Sequence, residues 1–132
     1  MYRRDLLTAE IQRLAQALAR IMGLKQQGKT EEAENGLNEI IENEFGILLT
    51  DLIASEINDF EAFLNEKEFA ADKLDLFSQF LYLKFDPSAR NAKNKSLTEK
   101  LQLIYSTLEV KHHIINMINL DRQKTIQQYI KS

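Results

Sequence analysis

The sequence predicts an all-α protein of five to seven helices arranged as antiparallel hairpins, and three observations lead there. Apolar residues recur at steps of three and four along most of the chain, the period of a helix with one buried face. One proline and four glycines in 132 residues leave little punctuation for a many-stranded β fold. Glu, Lys, Leu, Ala, Gln and Asn dominate, and most of these suit helices. With 44% hydrophobic and 28% charged residues, the chain has the balance of a globular protein rather than a disordered one. Its length fits one domain over residues 1–132 with a single sizeable core.

The first helix runs from about Arg3 to Gln27. Leu7, Ile11, Leu14, Leu18 and Ile21 form its stripe, widened by Leu6, Ala17 and Leu24 on one flank and by Ala15, Ala19 and Met22 on the other. A helix apolar around more than half its circumference is expected to be the central strut that gathers the later helices. Gly28 supplies the left-handed position common after a helix end, and Thr30 is placed to cap the next helix, with Glu31 and Glu32 at its positive end. That second helix carries Ala33, Leu37, Ile40, Ile41 and Phe45 on one face and stops at Gly46. The short connection folds it back on the first. Gly36, inside the helix, costs about 1 kcal/mol relative to alanine and implies a close approach to the first helix near Ala15 or Ala19.

Leu48, Leu49, Leu52, Ile53 and Ile57 predict a third helical segment. Asn58 or Asp59 begins a short fourth one with Phe60, Phe63 and Leu64, turning at Asn65–Lys67. Residues 69–85 predict a helix whose second half is apolar on nearly all sides, so it is either deeply buried or covered by another chain. Asp86-Pro87 closes it. The polar stretch 88–95 reads as the longest loop or a loose helical start. Ser96-Leu97-Thr98-Glu99 fits a capping box before Leu101, Ile104, Tyr105 and Leu108. Residues 112–119 admit either helix or connection. Asp121 is expected to cap a last helix with Ile126, Tyr129 and Ile130 facing inward.

Gly28-Lys29-Thr30-Glu31-Glu32-Ala33, followed by Leu37 and Ile40, resembles the inter-helix turn and second helix of a tetratricopeptide repeat. Asp86-Pro87 resembles the junction between such repeats. Residues 1–46 as a whole resemble the start of short bacterial proteins with a tetratricopeptide-like fold. That resemblance implies a helical scaffold that contacts other proteins, and it supplies no catalytic residues.

Chemistry-bearing patterns are sparse. The chain has no cysteine, which excludes disulfides, thiolate nucleophiles and Cys-ligated zinc. It also has no phosphate-binding glycine loop, dinucleotide fingerprint or nucleophile elbow. His112 and His113 are adjacent, so on a helix they diverge by about 100°; Glu109 and His113, four apart, offer at most two ligands from one face. Glu10 falls inside the apolar arc of the first helix and reads as a core-edge carboxylate paired with Arg3 or Arg13. Glu31, Glu32, Glu39, Glu42, Glu44 and Asp51 lack the histidines of a helical di-metal site and read as solvated faces. The expectation is therefore a non-enzyme without cofactor or metal. The alternatives are an enzymatic or small-ligand-binding helical domain with a pocket between helices, or weak nucleic-acid binding through the basic 90–100 loop (Arg90, Lys93, Lys95, Lys100). No aromatic residues interleave with those cations, so nucleic acid is not the expected partner.

Net charge is −3 but unevenly spread: +4 over residues 1–30, −12 over 31–75 and +5 over 76–132. The plain reading is attraction between segments of one fold; the sharper one is an acidic face offered to a basic partner. No apolar run reaches the roughly 18 residues of a membrane span, and the N-terminus lacks the pattern of a secretory signal, so a cytoplasmic protein without membrane association is expected. The surplus apolar surface is assigned to Leu76, Tyr82, Leu83 and Phe85. Together these predict a protein-protein interaction module or small scaffold that self-associates, with a homodimer as its expected form.

Overall fold

The computed structural model of the protein describes residues 2–131, with side chains from residue 6 onward. Among the described residues there are seven helices and no strand: α1 (Tyr2–Gln26), α2 (Thr30–Phe45), α3 (Leu49–Ala54), α4 (Ile57–Lys67), α5 (Ala71–Lys84), α6 (Ala92–Val110) and α7 (Met117–Lys131). They fall into two compact units, Met1–Leu49 and Thr50–Ser132.

The first unit is an antiparallel hairpin. Arg13 donates both ends of its guanidinium to the Glu44 carboxylate, and Gly36 lies beside Ile21, so partners move in opposite directions along α1 and α2. Two hydrogen bonds close the turn. The Lys29 N–H donates to the Leu24 carbonyl at 2.9 Å and the Gly28 N–H to the Lys25 carbonyl at 3.1 Å. This paired arrangement needs the left-handed Gly28, φ 78°. It also draws Lys29 into the N-cap position, where no side chain caps, so Thr30 is the first helical residue rather than the cap. The close approach expected at Gly36 near Ala15 or Ala19 is not found: the nearest neighbour of an added Cβ is the Ile21 side chain at 3.5 Å, an ordinary van der Waals contact.

The wide burial expected of the first helix is not found. Leu14, Leu18 and Ile21 are buried, while Leu6, Leu7, Met22, Ala15 and Ala19 are exposed. Apolar identity permits burial without requiring it.

In the second unit the strut is α6, which packs against α4, α5 and α7. Leu97, Leu101, Ile104, Tyr105 and Leu108 are all buried. The helix begins earlier than the expected capping box: Asn91 is the N-cap and accepts from the Asn94 N–H, 2.8 Å away. Ser96 lies inside the helix and instead donates to the Ile53 carbonyl at 2.6 Å. Phe60, Phe63, Phe69 and Phe77 form an edge-to-face and stacked cluster between α4 and α5, with centroids 5.8–6.2 Å apart.

The α6–α7 connection resolves the open 112–119 stretch. The chain leaves α6 at Val110, passes His113 in the left-handed region (φ 57°), and re-enters a helix at Met117. Asn116, rather than Asp121, caps α7, accepting from the Asn119 N–H at 2.8 Å. Because α6 has ended, Glu109 and His113 do not share a helical face.

Candidate functional site

The four residues assigned to an association surface separate once the fold is in view. Leu76 and Phe85 are buried, and Tyr82 and Leu83 are half-buried. Leu76 and Phe85 are therefore corrected from surface to core. The reason is that α6 packs along α5 and α7 brings Tyr129 edge-on against Phe85. Phe85 and Tyr82 belong to a continuous stack that runs Arg90, Tyr129, Phe85, Tyr82, Arg122. The Arg90 guanidinium lies 4.2 Å from the Tyr129 ring, and Tyr129 meets Phe85 edge-on at 5.2 Å. Phe85 lies 5.7 Å from Tyr82, which is capped by Arg122 at 4.7 Å. A cation closes each end on an aromatic face, the attractive arrangement for a ring quadrupole.

The basic patch is likewise split. Lys100, expected in the loop, is 1% exposed. Its Nζ donates to the Ser55 carbonyl and, at 2.9 Å, to Ser96 Oγ, closing off the C-terminal end of the short α3. Burial pushes this ammonium below the usual lysine value, with Glu99 opposing. Replacing Lys100 by methionine keeps the stem but leaves the Ser55 carbonyl without its donor. A loss of about 1–3 kcal/mol is expected in a urea unfolding titration. Lys93 and Lys95 remain exposed.

Residues 86–91 are tied down by a side chain that the sequence did not single out. Asn94 is buried; its Nδ2 donates to the Asp86 carbonyl and, at 2.8 Å, to the Ala89 carbonyl, while its Oδ1 accepts from the Asp86 N–H at 3.0 Å. Tyr129 adds a hydrogen bond from its hydroxyl to the Ala89 carbonyl at 2.7 Å, and Arg90 donates to the Tyr129 carbonyl. An asparagine in a polar stretch carries no sequence signal for such a role.

A polar cluster lies where α5, α6 and α7 meet. Asn119 Nδ2 donates to Asp75 Oδ1 at 2.8 Å and Gln79 Nε2 to Asp75 Oδ2 at 3.0 Å. Beside them Arg122 Nη1 is buried without a hydrogen-bond partner, and the Tyr105 hydroxyl is buried close to Ser78. Burial raises the Tyr105 phenol to about 12, against the opposing pull of Arg122.

No three His, Asp or Glu side chains among the described residues converge as a metal site. Compared with protein-family models, curated proteins and solved structures, the chain gives no match. Nor is any helix among the described residues long and apolar enough to cross a membrane.

What distinguishes the surface of the second unit is the α6–α7 corner. Val110, Ile115, Met117, Ile118 and Leu120 are all exposed, Met117 at 82% and Val110 at 71%. Met117 and Ile118 border an open groove of about 250 Å³ whose other walls are Asp75, Gln79, Asn116 and Asn119. Scattered exposed apolar residues are ordinary, but five large ones fall within residues 110–120, with Met117 and Ile118 on this groove and Ile115 and Leu120 on a neighbouring one. The sequence contains these residues plainly; it does not say that they stay outside the core.

Proposed function

We propose that the protein is a non-catalytic interaction module that self-associates, burying the α6–α7 corner against a second copy. The observation that carries this reading is the exposed set Val110, Ile115, Met117 and Ile118. Methionine and isoleucine suit such a contact, one adaptable and the other rigid. The resemblance of residues 17–45 to a tetratricopeptide hairpin supports the same class of role, a helical scaffold for protein contacts. The surface moves from the α5 residues, which are largely spent on internal packing, to the start of α7.

Light scattering behind a sizing column tests the proposal. The wild-type chain is expected to run as a dimer at high concentration. Met117→Glu combined with Ile118→Glu is expected to give a monomer with unchanged helical circular dichroism, because both side chains are exposed. A wild-type chain that stays monomeric, or a double variant that stays dimeric, overturns the reading.

A further inference from the structure

The chain holds three methionines and no cysteine. No thiolate therefore competes for an oxidant, and the thioethers are the sulfur groups it meets. A thioether has no proton to lose, so access to solvent rather than pKa decides which methionine reacts first. Of the two methionines with described side chains, Met22 on α1 is 38% exposed and Met117 is 82% exposed. Met117 is also the first residue of α7, between the exposed Ile115 and Ile118 of the apolar corner. The most accessible described sulfur thus lies within the surface argued to join two copies.

We propose that Met117 is a reversible oxidation site, and that its sulfoxide releases the self-associated protein into single copies. The proposal rests on the α6–α7 corner being the contact between copies. The oxidant is a peroxide. The sulfur lone pair attacks one peroxide oxygen and the O–O bond breaks. That oxygen stays on sulfur as the sulfoxide, and its proton passes to the departing hydroxide, which leaves as water. Sulfur gives up two electrons and the peroxide takes them. A flexible apolar side chain becomes a polar one. In a single copy the fold is untouched, because this side chain stands in water before and after. In the contact the sulfoxide must leave water, which is unfavourable for a polar group without a partner. A twofold contact uses the same patch from both copies, so each dimer contains the change twice. A weakening of about tenfold per copy therefore becomes roughly a hundredfold for the dimer. The coupling is reciprocal: association takes Met117 out of solvent, so the dimer slows the oxidation that would separate it.

Hydrogen peroxide added to the intact chain tests the proposal, with peptide mass spectrometry reading each methionine and light scattering behind a sizing column reading association. In dilute protein Met117 is expected to oxidise faster than Met22. As protein concentration rises, Met117 should slow while Met22 keeps its rate. The oxidised chain is expected to dissociate with a constant roughly a hundredfold higher and with unchanged helical circular dichroism. Treatment with the two methionine sulfoxide reductases, one for each epimer, should restore the dimer. Met117→Leu keeps an apolar side chain without sulfur, so it is expected to stay dimeric in peroxide, whereas Met22→Leu should respond as the wild type does. A reduced wild-type chain that is monomeric overturns the association reading and the switch together. A reduced dimer that stays dimeric once Met117 carries the oxygen overturns the switch alone. So does a Met117→Leu dimer that peroxide separates equally well, or a Met117 that oxidises more slowly than Met22 in dilute protein.

Discussion

Phe77→Ala is expected to lower the unfolding free energy by about 3–5 kcal/mol, the cost of lost apolar burial plus an unfilled cavity. Phe77 is fully buried and meets the rings of Phe60 and Phe69 at 6.2 and 5.8 Å, so several neighbours must relax at once. Domains of this size have a total stability of about 5–15 kcal/mol, so the variant should be close to unfolded at modest denaturant. Urea titrations followed by far-ultraviolet circular dichroism read the shift in midpoint directly. A change below about 1 kcal/mol would mean that the α4–α5 aromatic cluster is not the packed core that the geometry describes. Phe63, half-buried at the edge of the same cluster, should cost less when truncated.

The second large effect is a loss of stability in alkali. The Tyr105 phenol rises from an ordinary value of 10.0 to about 12 because the phenolate would be buried. A raised folded-state value means that the unfolded chain gives up its proton first. The contribution of this group is therefore fully present below pH 10 and is lost as pH climbs from 10 toward 12. At about 1.4 kcal/mol per pH unit, the loss approaches roughly 3 kcal/mol by pH 12. Tyr105→Phe removes the titration. At neutral pH that variant should differ from the wild type by no more than about 1 kcal/mol, because the hydroxyl it deletes is buried beside Ser78 without a full-strength hydrogen bond. The difference between wild type and Tyr105→Phe across pH 9–12 isolates this group from Lys100, whose lowered value acts in the opposite sense over the range below the usual lysine value. Equal alkaline sensitivity in the two proteins would show that Tyr105 is solvated in the folded state.

The elements written locally in the chain are the ones the sequence made legible. Gly28 and Gly46 terminate α1 and α2 because both stand in the left-handed region, φ 78° and 77°, where other residues are strained. Asp86-Pro87 ends α5 because the residue before proline disfavours helical backbone. The less legible boundaries depend on competition. Ser96-Leu97-Thr98-Glu99 is a sound capping box, yet Asn91 captures the α6 N-terminus and Ser96 serves α3 instead. Asp121 can cap a helix, but Asn116 does so earlier. A single-chain reading has no means of ranking two competent caps, since the winner is set by what each side chain meets across the fold.

The same distinction governs the candidate surfaces. Leu76 and Phe85 exceed what one helical face buries, yet internal packing takes them in; Met117 and Ile118 carry no sequence signal of their own and stand in water. By itself the sequence determined the all-helical class, the hairpin turn at Gly28 and the stop at Pro87, because periodicity, glycine conformation and proline sterics act within a few residues. Only the tertiary structure decided that α6 is the strut of the second unit and that α1 buries a narrow stripe, that Lys100 is a buried clamp, and which apolar side chains stay exposed. Those outcomes depend on burial, which belongs to pairs of elements brought together from far apart in the chain.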